Sequence, residues 1–343
     1  MSIIIALLIF SLIVLFHEFG HFLLAKKNGI TVVEFSLGMG PRLLSFDKGG
    51  TKYSWKLLPF GGSCMMLGED EGTMEPGAFA AASVWARISV IAAGPVFNFI
   101  LAFVLSLFII GSIGYDKPVI LQVSDGYPAA EAGLKEGDIV KKINHSNIHV
   151  AREVTNYVTF HQKQSVTMTV ERDGKDITVQ MDPVANESGR YIFGICSSNY
   201  REKCGILGTL KYSAYEVKYW IQLTIESIKM LFTGQASIND MSGPVGVVSY
   251  IGETYQESQS SGGFYVWLNM LNISILLTAN LGVMNLLPIP ALDGGRLVFL
   301  IIELIRGKRI DPEKEGMVHF VGLMLLMLLM VVVMFNDVRK IFF

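Results

Sequence analysis

Three ionisable residues interrupt an apolar segment early in the chain: His17, Glu18 and His21, in "SLIVLFHEFGHFLLAKK". On an α-helix, residues four apart share one face, so the two imidazoles can bind one metal ion with the carboxylate beside it. This H-E-x-x-H spacing is typical of zinc hydrolases. The alternative is a pair of histidines bonded to polar neighbours in a helical bundle. Because ionisable groups in a membrane segment are costly and usually functional, we predict a metal site.

The third ligand is predicted from the rule that a catalytic zinc ion has three protein ligands and one open position. Asp293 lies in "NLLPIPALDGG", an irregular stretch at membrane depth, where non-helical backbone occurs only if it is buried or lines a cavity. The alternative is that Asp293 caps a helix or forms a turn before Gly294. The other histidines are less well placed, since three lie in a polar block and one begins a late apolar run: His145, His149, His161 and His319.

Glu18 is predicted to act as a general base. A zinc ion lowers the pKa of its bound water to near neutrality, and a neighbouring carboxylate can accept the proton and return it to the leaving amine. The reaction would be peptide hydrolysis without a covalent intermediate, because no serine or cysteine stands in a nucleophile motif or beside a base.

The elements that position these residues are predicted to be membrane helices. Of the 343 residues, 51% are hydrophobic and 17% are charged, and the mean hydropathy is +0.45, too apolar for an ordinary soluble domain. We predict a polytopic α-helical membrane protein with about four transmembrane helices. They run from Ile3 to Ala25, after Arg87, up to a break near Asp293, and over 318–335.

Two regions between the spans differ from them in composition. Residues 31–75 are rich in glycine and strand formers and predict a membrane-associated β-hairpin, while residues 117–200 predict a small β-rich domain outside the membrane. The predicted domains are a first membrane half at 1–116, the β-rich domain at 117–200, an amphipathic interfacial segment at 201–262 and a second membrane half at 263–343. Cys196 and Cys204 could pair in an oxidising compartment.

Positive charges predict the orientation. Lysine and arginine cluster between spans one and two and between spans three and four, which places both loops in the cytoplasm. Both termini and the β-rich domain would then be extracytoplasmic, with the active site towards the cytoplasmic side, although Arg339 and Lys340 argue mildly against this. The net charge of -2 gives no sign of a nucleic-acid partner.

Several motifs resemble those of one protease family. "HEFGH" in the first span, "AAGPVFNFILAF" in the second and "NLLPIPALDGG" in the third are similar to the site-2 protease family of intramembrane zinc metalloproteases, above all its bacterial RseP-type branch. The resemblance extends to "FSLGMGPRL", to "SGPVGVVSYIGE" and to "YPAAEAGLKEGDIVKKIN", which resembles a PDZ domain. These matches cover most of the chain in the family's order.

The resemblance implies roles for particular residues. Zn2+ would be bound by His17, His21 and Asp293, with Glu18 as the base. Asn285 would contact substrate near the scissile bond, although it could instead cap the backbone where the helix breaks.

A second implication concerns how substrate is held. "LPFGGSCMM" at residues 58–66 is similar to the family's membrane-associated strand loop, which would receive an unwound substrate by strand addition. The substrate-binding residues implied in this way are Asn285, Pro288, Gly61 and Gly62. Residues 63–65 depart from the family's tyrosine, valine and lysine pattern, which concerns substrate preference and leaves the zinc chemistry unchanged.

The functional hypothesis is an intramembrane zinc endopeptidase of the bacterial cytoplasmic membrane. It would cleave transmembrane segments of single-pass proteins, pre-trimmed by another protease, such as an anti-sigma factor or remnant signal peptides. The alternative is a non-catalytic scaffold that binds partners through its PDZ-like domain, against which the intact set of four site residues argues. A metal transporter would predict repeated or inverted segments, which the sequence lacks. The PDZ-like domain could be a size gate or could capture peptides.

Overall fold

The computed structural model describes residues 2–69, 73–186, 189–197, 200–237, 239 and 241–342. The chain divides into two compact units. The first, here called the membrane unit, comprises Met1–Leu105 and Gly234–Phe343 and contains all the predicted metal ligands. The second, here called the β-rich unit, comprises Ser106–Thr233.

Nine helices are present among the described residues. In chain order they are α1 (Ser2–Lys27), α2 (Val84–Ile113), α3 (Pro128–Glu131), α4 (Ala151–Phe160), α5 (Ile206–Phe232), α6 (Pro244–Gln259), α7 (Gly263–Asn285), α8 (Asp293–Arg306) and α9 (Pro312–Phe342). Four of them, α1, α2, α7 and α9, are long and apolar enough to cross a bilayer. The prediction of a polytopic helical membrane protein with four spans is therefore confirmed.

The strands fall into two groups. A hairpin of β1 (Val32–Lys48) and β2 (Thr51–Met66) belongs to the membrane unit, as the composition of residues 31–75 predicts. The remaining strands belong to the β-rich unit: β3 (Tyr115–Asp116), β4 (Gln122–Val123), β5 (Ile139–Ile143), β6 (Ser146–Asn147), β7 (Val166–Arg172), β8 (Lys175–Met181), β9 (Val184–Ala185), β10 (Tyr191–Ile192), β11 (Ile195–Cys196) and β12 (Arg201–Glu202).

Helices α1 and α2 approach each other closely at two glycines. A Cβ atom added to Gly20 would lie 2.5 Å from the carbonyl oxygen of Ala93, and one added to Gly94 would overlap the imidazoles of His17 and His21. Small residues allow helix backbones to come together in this way inside a membrane. The glycine of the Gly-Pro pair in the second span therefore marks a close helix contact at the metal-binding motif.

Strand β1 pairs with two separate parts of β2. Residues 34–37 of β1 lie opposite residues 52–55 on one side and residues 62–65 on the other. The chain changes direction between these two parts of β2, where Gly61 has a φ of 79° that favours glycine. Residues 62–65 therefore form an outer strand, and its second edge pairs with no other strand among the residues that the structure describes.

A buried carboxylate fixes the base of this hairpin. Glu34 is 3% exposed, and its Oε1 accepts a hydrogen bond of 2.8 Å from Nε of Arg42. Lys56 Nζ lies 3.4 Å from the second carboxylate oxygen. The Arg42 guanidinium and the Lys56 ammonium favour the charged carboxylate more than burial opposes it, and the pKa of Glu34 falls to about 2.

Helix α7 ends at Asn285, and residues 286–292 form an irregular turn before α8 begins at Asp293. This is the broken third span that the proline-rich sequence predicts. A Cβ atom at Gly294 or Gly295 would overlap backbone atoms of the turn, so the turn can fold back onto the start of α8 only because both are glycines. Ala291 has a φ of 75°, which is strained for a residue with a Cβ atom.

The last span is joined to α6 through a buried aspartate. Asp337 accepts hydrogen bonds from the backbone N–H groups of Gly243 (3.0 Å) and Gly246 (2.8 Å) at the start of α6. A carboxylate in this position satisfies free N–H groups and interacts favourably with the helix dipole. Cβ atoms on the two glycines would contact Asp337, which explains the glycines of "SGPVG".

The β-rich unit is built on an antiparallel sheet with the strand order β6-β5-β7-β8. Helix α5 belongs to this unit: Arg152 of α4 donates hydrogen bonds of 2.5 Å to both carboxylate oxygens of Glu216, and its guanidinium lies over the ring of Trp220. The segment 201–262, predicted as one amphipathic stretch, thus divides into α5 here and α6 in the membrane unit. Cys196 and Cys204 are not joined by a disulfide.

Candidate metal centre

His17 and His21 lie one turn apart on the buried face of α1, with 8% and 7% of their surfaces exposed. Their Nε2 atoms are 3.2 Å apart. The space for both rings exists because Gly94 on α2 has no side chain. The helical spacing of the motif therefore brings the two imidazoles together.

Asp293, the first residue of α8, completes a group of three donor atoms. Its Oδ2 lies 3.2 Å from Nε2 of His17 and 3.6 Å from Nε2 of His21. Ligands bound about 2.0–2.1 Å from a tetrahedral zinc ion lie about 3.3–3.4 Å from one another. The three donor atoms thus have the spacing that such an ion requires.

Hydrogen bonding fixes the tautomer of His21. Its Nδ1 lies 2.9 Å from the carbonyl oxygen of Val90. Because a carbonyl oxygen only accepts, Nδ1 carries the proton and Nε2 directs a lone pair into the site. Asp293 Oδ2 is buried and makes no hydrogen bond to a described residue. Lone pairs on nitrogen and oxygen that face one another repel, and a cation bound between them removes this repulsion.

Asn98 on α2 orients the other imidazole, and the sequence analysis missed it. In the structure its Nδ2 lies 3.2 Å from Nδ1 of His17, its buried Oδ1 has no hydrogen-bond partner among the described residues, and the residue is fully buried. Since amide oxygen and nitrogen are alike in shape, the orientation with Oδ1 facing Nδ1 lets His17 donate there and leaves its Nε2 free for a metal ion. The available signal was a lone amide within the apolar run "AAGPVFNFILAF".

Glu18 lies where the outer strand of the hairpin approaches α1. A Cβ atom on Gly62 would lie 3.3 Å from Cγ of Glu18 and 3.0 Å from the carbonyl oxygen of Ser36. Gly61, next to it, has the Met39 side chain 2.9 Å from where its Cβ would be. The two glycines predicted to bind substrate therefore bring the strand to the half-buried carboxylate.

The remaining predicted residues, Asn285 and Pro288, lie at the end of α7 and in the turn that follows it. Asn285 Nδ2 lies 3.4 Å from Nε2 of His17, so its amide reaches the metal group from the end of α7. Pro288 is exposed in the turn after α7, and its role in substrate binding stays a prediction. His319 accepts a hydrogen bond from the backbone N–H of Ala291 and is not among the three residues whose donor atoms converge.

A metal site built from two imidazoles and a carboxylate, within helices that can span a bilayer and beside a further carboxylate, defines a membrane-embedded metal hydrolase. The sequence profile described as Peptidase family M50 matches residues 5–329. The chain belongs to this family.

Two relatives are similar over nearly their whole length. The zinc metalloprotease RasP of Geobacillus kaustophilus is 34% identical over 423 residues, covering 99% of this chain and 98% of the relative. The regulator of sigma-W protease RasP of Bacillus subtilis is 32% identical over 420 residues, covering 98% of each. The chain is a zinc metalloprotease that acts within a bacterial membrane.

Among solved structures, the PDZ domain of the SdrC-like protein of Listeria monocytogenes is 22% identical, with a TM-score of 0.22. The match covers 24% of this chain and 86% of that domain.

Proposed function

We propose that the zinc ion of this metalloprotease is held by His17, His21 and Asp293, and that Glu18 is the general base. The observation that carries the proposal is the triangle of donor atoms, whose edges are 3.2, 3.2 and 3.6 Å. Glu18 follows His17 directly on the same helix. Three protein ligands leave a fourth position for water, as in catalytic zinc sites.

A bound zinc ion supplies a polarised water molecule and a Lewis acid for the scissile carbonyl. Glu18 accepts the proton of the attacking water and returns it to the nitrogen of the leaving amine. Asn285, whose amide lies 3.4 Å from Nε2 of His17, donates a hydrogen bond to the substrate near the scissile bond. Val90 and Asn98 keep the two imidazoles in the orientation that ligation needs.

The substrate is held as an added strand on the outer strand of the hairpin. Residues 62–65 have one edge paired with β1, and the open edge among the described residues offers backbone N–H and C=O groups to an extended peptide. Gly62 has no side chain between this strand and Glu18. The backbone of a substrate peptide that pairs with this strand would therefore pass close to the general base. Gly61, with its positive φ, supplies the bend that brings the strand there, and Pro288, exposed in the turn after α7, is a further substrate-binding residue.

The substrates are transmembrane segments of single-pass membrane proteins. The name of the Bacillus subtilis relative, regulator of sigma-W protease, supports regulated intramembrane proteolysis of a membrane-bound regulator such as an anti-sigma factor. Remnant signal peptides have the same chemical form, a short apolar segment with little attached outside. The β-rich unit favours substrates that another protease has trimmed, either by excluding large ectodomains or by binding their new ends.

The enzyme lies in the cytoplasmic membrane with its active site towards the cytoplasm. Both termini and the β-rich unit are extracytoplasmic. Lysine and arginine in the loops after spans one and three support this orientation.

The test compares the purified full chain with Glu18→Gln in detergent, with a single-span reporter peptide as substrate and zinc content measured for both. We expect zinc to be retained and cleavage to fall by about 100-fold or more, since the general base is lost while the ligands stay. Loss of zinc in Glu18→Gln would instead make Glu18 a ligand. A wild type that holds zinc but cleaves no reporter, including reporters with short ectodomains, would favour the scaffold function.

A further inference from the structure

Helix α9 holds the strained turn that precedes the metal-binding aspartate. His319 Nδ1 accepts a hydrogen bond of 2.8 Å from the backbone N–H of Ala291, the residue with a φ of 75°. A backbone N–H can only donate, so Nδ1 is the acceptor and the proton of the neutral ring lies on Nε2. That nitrogen lies 3.8 Å from the carboxylate of Glu315, which favours this tautomer.

Two further contacts join α9 to the same segment. Gly322, three residues after His319, has Pro290 where its Cβ would stand, so the turn reaches the helix backbone there. The ring of His319 also lies 5.5 Å from that of Phe299 on α8, measured between centroids. One face of α9 therefore contacts Pro290, Ala291 and α8 in succession.

The turn has room to move if this contact is lost. A cavity of about 330 Å³ lies beside it and is lined by Ala291, Asp293, Arg296 and His319, among others. A positive φ in a residue with a Cβ atom is strained and persists only where the surroundings enforce it. The hydrogen bond from the Ala291 backbone N–H to His319 Nδ1 is such a contact, two residues before the carboxylate of Asp293.

We propose that His319 is a positioning residue, which fixes the backbone of residues 291–293 and thereby the carboxylate of Asp293 at the metal ion. This rests on the proposed function, because it requires Asp293 to be a ligand. His319 is not among the three converging donors of the described residues, and its Nδ1 accepts a hydrogen bond from Ala291. Its effect passes through the backbone and should appear in the metal site itself, independently of turnover.

The experiment measures metal binding by the full chain in detergent for wild type, His319→Leu, His319→Asn and Leu325→Ala. Zinc affinity is determined by competition with a chelator, and the visible absorption of the cobalt-substituted protein reports the geometry of the site. Asparagine places Oδ1 near the position of Nδ1 and can accept the same hydrogen bond, whereas leucine cannot. Leu325 lies on the same helix and is 62% exposed, so its truncation controls for general effects on α9.

We expect His319→Leu to weaken zinc binding by about tenfold and to change the cobalt spectrum, as the loss of an outer partner does in other metal sites. His319→Asn should restore both. Equal zinc affinity and an identical cobalt spectrum in His319→Leu and wild type would overturn the proposal, as would equal defects in the leucine and asparagine variants.

A second variant keeps the test valid if His319→Leu does not fold. Gly322→Ala would push Pro290 away from α9, and we expect the same change in zinc affinity and spectrum. The proposal would be contradicted if Gly322→Ala bound zinc as the wild type does while His319→Asn bound zinc more weakly than the wild type. If wild type itself bound no zinc at this site, the proposed function would fail first, and that result is visible without any variant.

Discussion

At the proposed metal centre, Nε2 of each imidazole is available to a metal ion because Nδ1 of the same ring faces another group. Nδ1 of His21 donates a hydrogen bond to the carbonyl oxygen of Val90, and the amide of Asn98 faces Nδ1 of His17. Within a membrane there is no water to form these hydrogen bonds, so the carbonyl group of Val90 and the amide of Asn98 take the place of solvent. The chemistry at the residue scale therefore depends on groups that never touch the metal.

Asn98→Leu should weaken zinc binding by about 10–100-fold, because it removes the partner of His17 Nδ1 while keeping a similar volume. Cleavage of a single-span reporter should fall with the zinc content. The matched control is Val104→Ala, which lies on the same helix, is 38% exposed and should keep wild-type affinity. Chelator competition on the purified variants measures both. Wild-type zinc affinity in Asn98→Leu would show that His17 needs no partner.

The sequence predicts the residues that carry unusual chemistry and misses those that orient them. The sequence predicts His17, Glu18, His21 and Asp293 because ionisable groups at membrane depth are rare and the helical period places two of them on one face. No comparable spacing rule identifies an asparagine that orients a ligand from within an apolar run. Its partner is 81 residues away along the chain, so only the packing of α1 on α2 identifies Asn98.

At the scale of elements, the site depends on how closely helix backbones approach. Gly20 and Gly94 bring α1 and α2 together exactly at the two imidazoles, and Gly294 and Gly295 let the turn after α7 pack against the start of α8. A methyl group at any of these positions would move a ligand-bearing element. Glycine in a helix costs about 1 kcal/mol relative to alanine, so these glycines are retained for space and not for helix stability.

Gly94→Ala should abolish or greatly weaken zinc binding, because the new Cβ atom would overlap the imidazoles of His17 and His21. Gly111→Ala is the matched control: it lies on the same helix with nothing within 4 Å of an added Cβ atom. There the same substitution should leave zinc content unchanged and slightly stabilise the helix. Zinc content and thermal unfolding of both variants provide the comparison. Equal zinc content in the two would contradict the helix contact described here.

Secondary structure was predictable at this scale, and its pairing was not. Alternation and glycine content predict strands over residues 31–75, but no local pattern contains the register in which β1 pairs with both parts of β2. The same holds for α9. Its apolar run predicts a span, whereas its contacts with the turn at residues 290–291 join parts of the chain about 30 residues apart.

At the scale of the whole molecule, the distribution of lysine and arginine predicts that the loop after span one is cytoplasmic and that residues 117–200 are extracytoplasmic. Native cysteines can test this, because Cys196 is exposed, Cys64 is buried and Cys204 is half-buried. A membrane-impermeant maleimide added to intact protoplasts should label the wild type, and Cys196→Ser should remove most of the label.

The opposite side is tested by Lys48→Cys in the Cys196→Ser background, since Lys48 is exposed at the end of β1. This cysteine should react only after the membrane is opened. Labelling of Lys48→Cys in intact protoplasts would reverse the proposed orientation without affecting the metal site. Lysine and arginine counts predict this topology because the cost of moving charge across the bilayer is independent of the detailed fold.

The most direct test of the central claim is the zinc X-ray absorption spectrum of the purified chain and of its Asp293→Ala variant. The wild type should show only nitrogen and oxygen neighbours at about 2.0–2.2 Å, with the multiple-scattering pattern of two imidazoles. Asp293→Ala should lose zinc or one of the oxygen neighbours. A sulfur neighbour at about 2.3 Å, or zinc bound identically in the variant, would contradict ligation by His17, His21 and Asp293.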